Sequence, residues 1–396
     1  MRKLLWIALI MFLLLLPGCW DRVEIDQRGF VTGVAVDQGA QRDDEQGQTA
    51  KTTKYFGTYQ IIIPAGLKQT SGTSGTAGTT KGGTYFNLGA SGNTMPAITA
   101  KIASETSRSP YFEHLQIIVI SSELLRTPTS LADILDYFLR NNEIRRGVKI
   151  LISEGPAKKV LSIDAKNEKY PINYVESTIN NIKNNNNMVP ATRIGDLHEQ
   201  LIKDVSYTIQ KVSSSGGGIS LTGAAVFSPQ NQFIGFLNNE ETLGLNLLKG
   251  DVRGGDLETQ VEGQLINFTF DNENSRFRAV IADNKVQKLI VSIKAEGSLN
   301  KSSHEFDLTD EKIVNLLEQE VEHRVEQVSL NTISVLQKKY KKDVVGLGEY
   351  LNQNHYRQWK TMEKDWNDGD HLFSTMDIEV HVQVAIRRIG DINRSE

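Results

Sequence analysis

Thr375–Ile389 reads TMDIEVHVQVAIRRI, and its alternation decides how the C-terminal part of the chain folds. Met376, Ile378, Val380, Val382, Val384 and Ile386 fall on one side of a period-two repeat. Asp377, Glu379, His381, Gln383, Ala385 and Arg387 fall on the other. Extended backbone sends successive side chains to opposite faces, so this is a half-buried strand. The apolar surface it needs stands upstream. Ile313, Leu317, Val321, Val325, Val328, Thr332 and Leu336 recur at three- and four-residue spacing, the stripe of a helix capped at Thr309 and reaching about Lys342. Asp310 and Glu311 in its first turn, and Lys338, Lys339, Lys341 and Lys342 near its end, complement the helix dipole. Unbroken, such a helix is roughly 50 Å long. Lys285–Gly297 is a second alternating strand. The expectation for 285–390 is a long helix packed on a largely antiparallel sheet, with the closing strand lying on it.

Working back, Ile219–Phe227 and Gln232–Leu237 read as two strands joined at Ser228–Asn231. A short helix follows over Glu240–Lys249, then a strand over Val261–Phe270. These suggest a small middle domain, 219–281. Ile194–Val212 reads as one helix, and Ser213–Gly218, SSSGGG, as a linker or wide turn, so that 191–218 forms a bridge. The first domain, 19–190, opens with strands Phe30–Asp37 and Tyr55–Ile63, the second ended by Pro64, which cannot donate to a central ladder. Asn93 caps a helix running to about Arg108, with Pro96 in its first turn. Leu115–Ser121, Ser130–Arg146 and Gly147–Ser153 follow as strand, amphipathic helix and strand, a βαβ-like unit. A weaker helix spans Tyr170–Lys183 and stops at Asn184–Asn187. The fold class is therefore α+β, in three mixed α/β domains.

Residues 1–18 stand apart. Arg2 and Lys3 precede an uncharged run from Leu4 to Leu16, too short for the roughly 20 residues of a bilayer-spanning helix and suited to an export signal. Leu16-Pro17-Gly18-Cys19 resembles the lipobox of bacterial lipoproteins, with Pro17 departing from the usual small residue. Cys19, the chain's one cysteine, excludes an internal disulfide and is the expected site of a covalent diacylglycerol. Loss of 1–18 removes Arg2 and Lys3 and takes the formal charge from −4 to −6. A mildly acidic chain argues against a nucleic-acid surface.

Chemical signatures are sparse. His114, His198, His304, His323, His355, His371 and His381 form no His-Glu-x-x-His pattern, and no Gly-x-Ser-x-Gly elbow is present. His323 beside Glu322 is ordinary on a solvated helical face, and Asp43-Asp44 lie in the polar excursion Gln38–Thr53. Thr70–Gly83, TSGTSGTAGTTKGG, lacks the Gly-Lys-Ser/Thr of a phosphate loop, because Gly82 follows Lys81; its composition predicts a mobile loop. Gly346-x-Gly348 has no strand–turn–helix context for a nucleotide and fits a turn. Trp359 and Trp366, seven apart, fit one helical face, either as core between the long helix and the closing strand or as a partner-binding surface. Catalytic, metal and cofactor residues: none expected.

Several short stretches together resemble the Ger(x)C family, the lipoprotein C subunits of germinant receptors in endospore-forming bacteria. They are Gly18-Cys19-Trp20-Asp21-Arg22 with Glu24-Ile25, Leu221-Thr222-Gly223-Ala224-Ala225-Val226-Phe227, Asp343-Val344-Val345-Gly346-Leu347-Gly348, then Trp359, Trp366, Phe373 and Arg388-Ile389-Gly390. Two stretches depart from the family: Pro171–Val175 with Asn180-Asn181 only partly echoes its proline, aromatic helix and Lys-Ser pair, and Thr70–Gly83 looks like an insertion. The resemblance implies a non-catalytic subunit, lipid-anchored through Cys19 on the outer face of the spore inner membrane. Its implied partners are two polytopic membrane subunits, and its role is in nutrient-triggered germination. The competing expectations are a lipoprotein that captures the nutrient itself, which requires a concave polar pocket, and an envelope enzyme, which requires clustered groups of shifted pKa.

Overall fold

The structure, a computed structural model, describes residues 27–39, 53–63, 83–128, 130–300, 306, 308 and 310–388. The export signal, Cys19, Asp43-Asp44, Thr70–Lys81, Thr309 and Ile389-Gly390 lie outside them.

Two sheets organise the chain. The first contains β1 (Arg28–Gln38), β2 (Tyr55–Ile62), β3 (Tyr85–Gly92), β4 (Ser109–Tyr111), β5 (Ile117–Ser121), β6 (Lys149–Glu154), β7 (Thr192–Arg193), β8 (Tyr207–Ser215), β9 (Gly218–Ser220), β10 (Ala224–Phe227) and β11 (Phe233–Leu237). Its main order is β11-β10-β8-β6-β5-β1-β2-β3. The centre, β8, β6, β5 and β1, is parallel, and both flanks are antiparallel. The second sheet has the order β12-β13-β14-β15, from β12 (Asp256–Val261), β13 (Gln264–Ala282), β14 (Lys285–Asn300) and β15 (Asp377–Arg388). The architecture is α+β, as the alternation and the helical stripe predict.

Parallel strands need crossovers that cover the sheet, and the sequence supplies them on both faces. Val34 and Val36 of β1 and Ile118 and Ile120 of β5 point into a core with Ile98 and Ile102 of α1 (Met95–Ser104) and Ile134, Leu135 and Phe138 of α2 (Ser130–Arg140). Ala35, Ile117 and Val119 point the other way, onto Val160, Leu161 and Ile172 and Val175 of α3 (Pro171–Ile179). The unit β5–α2–β6 is the βαβ element read from the sequence. The cap of α1 is Thr94, whose hydroxyl accepts the Ala97 N–H, while Asn93 accepts the Lys54 N–H instead.

The expected single helix over Ile194–Val212 is α4 (Ile194–Lys203) followed by β8. Apolar spacing stays helical across the junction, but Asp204 adopts a left-handed conformation that ends the helix. Ser213–Gly218 is the tight end of the β8–β9 hairpin, with Gly216 and Gly217 at positive φ. The stretch 219–281 is divided between the two sheets. Its strand β10 has two apolar faces: Ala225 and Phe227 join the first sheet's core, and Ala224 and Val226 join that of the second sheet.

The long helix is α6 (Glu311–Val335), preceded by α5 (Asn239–Lys249). Its cap is Asp310, which accepts the Lys312 N–H. Leu317, Val321, Val325, Val328 and Thr332 of the expected stripe are buried. A π turn, Leu336–Tyr340, then carries the chain to left-handed Lys341, so the α-helix is shorter than expected. The closing strand β15 runs parallel to β14, not antiparallel, because the helical segment between them returns the chain to the same end of the sheet. It is an edge strand. Glu322 accepts the Val384 N–H at 2.9 Å and Glu318 the Ile386 N–H at 2.8 Å, so the helix blunts that edge.

Helices α5 and α6 cross at Gly244. A Cβ there lies 2.1 Å from Thr332 Oγ1 and 2.8 Å from the Val328 carbonyl oxygen, and the backbone atom cannot step aside. Gly244→Ala should destabilise the protein by about 1–3 kcal/mol through overpacking. Gly147→Ala, where no atom lies within 4 Å, should cost little. Chemical denaturation of the two variants checks the difference.

Candidate functional site

Where α6 ends, the chain makes its densest polar structure. Asp343 is 5 % exposed, yet its carboxylate has five donors. Oδ1 accepts the N–H groups of Val345, Gly346 and Leu347 at 3.1, 2.9 and 3.2 Å. Oδ2 accepts the Gly348 N–H at 2.6 Å and the Trp366 indole N–H at 2.9 Å. Leu347 and Gly348 open α7 (Leu347–Asn354), so the carboxylate also faces a helix N-terminus, where negative charge is favoured. A buried anion is costly unless its lone pairs are filled, and here they are.

The neighbouring residues complete the hub. The Asp343 N–H donates to the Asn367 side chain, and buried Lys342 donates to the Asn367 carbonyl and the Asp368 carboxylate. Gln230, in the β10–β11 turn, donates to the other Asp368 oxygen, and the Tyr340 hydroxyl donates to the Phe236 carbonyl. The hub thereby ties the first sheet to the C-terminal part. The Lys342 ammonium and the Gln230 amide hold the Asp368 carboxyl below its usual range against the opposing effect of burial.

Trp359 lies on α8 (Tyr356–Met362), and Trp366 lies beyond the turn Glu363–Asp365, so no continuous helix carries both. The indoles pack edge to face, 5.8 Å between centroids, and are 9 % and 1 % exposed. They close over Gly348, where a Cβ would stand 2.7 Å from Trp366 Nε1 and 2.8 Å from a Trp359 ring carbon. Gly346, at φ 99°, makes the turn before α7. The sequence marks Asp343, Gly346 and Gly348 without revealing the hub. Its signal is an aspartate followed within five residues by two glycines at the end of a long helix.

Above the tryptophans, a cleft of about 740 Å³ separates α4 and the start of β8 from the 343–353 segment. Asp196, Lys203, Asp204, Lys249, Asp251 and Glu349 stand around it, and Lys203 reaches Glu349 across it at 3.5 Å. Among the described residues, no group of three or more His, Cys, Asp or Glu side chains is placed to hold a metal. No described helix is long and apolar enough to cross a membrane. Cys19 lies outside the described residues.

One buried acid stands near this wall. Glu273 on β13 is 7 % exposed; Oε2 accepts the Val252 N–H at 3.4 Å, and Oε1 has no hydrogen-bond partner. Burial, reinforced by the Asp251 charge, pushes its carboxyl up to about 8, against the Val252 N–H and Arg253.

Two measurements follow. Asp343→Asn turns part of the acceptor into a donor facing N–H groups, and should cost about 3 kcal/mol or more by denaturation, several times the loss of one ordinary hydrogen bond. For Glu273, both folded and unfolded chains are protonated below the ordinary value of 4.5. As pH rises from there to about 8, the unfolded chain ionises first, so this group's stability contribution falls and then levels off. Glu273→Gln should flatten the fall in melting temperature over that window.

The comparisons with known proteins run through the whole described chain. Residues 21–213 match the spore germination protein N-terminal domain, and residues 222–390 match the spore germination B3/GerAC-like C-terminal family. Spore germination protein YndF of Bacillus subtilis (strain 168) is 25 % identical over 397 aligned positions, covering 98 % of this chain and 96 % of that one. Spore germination protein B3 of the same organism is 26 % identical, covering 97 % and 98 %. The crystal structure of the GerBC protein superposes with a TM-score of 0.59 at 22 % identity, over 92 % of this chain and 100 % of that one, a likeness of fold. With both family regions matched in order, the chain belongs to the Ger(x)C family of spore germination proteins.

Proposed function

We propose that the protein is a non-catalytic subunit of a germinant receptor, held by a diacylglycerol on Cys19 to the outer face of the spore inner membrane. There it acts in nutrient-triggered spore germination with two polytopic membrane subunits. The observation that carries this reading is the match of two family regions in order, 21–213 and 222–390, to spore germination proteins. The lone cysteine at the edge of a short export signal supports the anchor. Tethering restricts the body to the membrane surface and raises its effective concentration against membrane partners. The hub at Asp343 uses its acceptors to hold backbone and indole N–H groups, a structural role.

A second reading is favoured by the cleft: a concave space with a mixed polar and apolar lining between the two sheets suits a small nutrient. Saturable binding of amino acids or sugars to the chain, lost when Lys249 and Asp251 are replaced, would support it.

The deciding experiment is quantitative co-purification of the tagged protein from gently solubilised spore inner membranes, beside Cys19→Ala. Two polytopic partners should be recovered with the wild type and sharply reduced with the variant. Normal membrane retention of Cys19→Ala in cells lacking the partner subunits would overturn the anchoring.

A further inference from the structure

The central strands β1, β5, β6 and β8 are parallel, so all four begin at one end of the first sheet. That end is rimmed with arginine. Arg28 opens β1, its guanidinium 4.0 Å from the Tyr111 ring centroid. Arg145 and Arg146 are exposed in the turn that leads into β6. Exposed Arg193 stands in register with Lys149, the first residue of β6. None of the four is ion-paired with a described residue. Of the acids at this end, Glu143 accepts the Phe112 N–H, Glu113 interacts with Tyr111, and Glu176 pairs with Lys149. Asp204 ends α4, and Asp196 sits in the first turn of α4, where the helix dipole compensates it. Ile202, in the last turn of α4 just before the start of β8, is 70 % exposed.

We propose that this end is the bilayer-facing surface, with Arg28, Arg145, Arg146 and Arg193 seated on anionic lipid headgroups and Ile202 entering the interfacial layer. The proposal rests on the anchoring at Cys19 proposed above. Chain geometry favours this end. Eight peptide steps separate Cys19 from Gln27, a reach of at most about 30 Å, and the chain enters β1 at the arginine end. The other end of β1 lies 11 residues on, roughly 36 Å away, beyond that tether. Charge agrees: the chain from Cys19 onward is net acidic, yet this end presents unpaired cations. Each basic side chain close to an anionic surface strengthens attachment by about fivefold. A single lipid signal gains from such a second one.

The test uses the full acylated protein reconstituted into vesicles rich in phosphatidylglycerol or made of phosphatidylcholine. Spin labels are placed at Ile202→Cys and, at the opposite end of the sheet, Thr127→Cys; acylation leaves no thiol on Cys19. Flotation with vesicles reads the anchor, and collision with oxygen against an aqueous nickel complex reads the orientation. The Ile202 label should become oxygen-accessible in phosphatidylglycerol vesicles while the Thr127 label stays aqueous. High salt, or Arg145→Gln with Arg146→Gln and Arg193→Gln, should return it to water while flotation persists. Failure to float sinks the anchoring. Flotation with an aqueous Ile202 label in both vesicle types overturns the orientation alone. So does protection of that label only when the membrane subunits are present, which would assign the end to a protein partner.

Discussion

The Asp343 carboxylate is the contact on which the C-terminal architecture depends. A helix that stops inside a protein leaves carbonyls behind and a new helix brings unpaired N–H groups ahead. Here the two problems meet within a few residues, between the π turn and α7. One carboxylate answers the second problem by taking four consecutive backbone N–H groups, and its remaining contact fixes the Trp366 indole. The direction of α7, the position of the tryptophan pair and the floor of the cleft are consequences of that one anion. Its burial is tolerable only because the donors are preorganised; a neutral side chain of the same shape has too few acceptors to hold them.

The two sheets are joined by more than contact between finished units. Strand β10 sends alternate residues into two cores, so neither core closes without it. Around this shared strand stand the Tyr340–Phe236 and Gln230–Asp368 hydrogen bonds and the packing of Gly244 against α6. The shared strand and these contacts leave no free linker at the sheet junction.

Much of this was legible in the sequence, for physical reasons. The α6 stripe, the β5–α2–β6 unit and the alternation of β15 each bury one face, and burial imposes period on residue type. Strand β3 left no such trace: YFNLGASG is a sheet edge with mostly half-buried positions. The junction of α4 and β8 was hidden because the break is a backbone event at Asp204, with apolar spacing intact on both sides. The direction of β15 is set by the path of the residues before it, which no local pattern records. Asp343 was visible only as part of a recurring motif. Four of its donors are local backbone N–H groups, but the fifth, the Trp366 indole, arrives more than 20 residues later.

The cleft is bounded unequally, and the magnitudes decide which boundary yields. On the inner side lie buried contacts: the hub, the indole pair and the β10 core. Across the mouth the recorded ion pair is Lys203–Glu349 at 3.5 Å, with both side chains nearly half exposed. An exposed pair of that kind contributes only about 0–1 kcal/mol and weakens further with salt. Parting α4 from α7 at the mouth therefore costs far less than disturbing the floor, where removing any one partner strands buried N–H groups. The cleft is a soft seam on a stiff base.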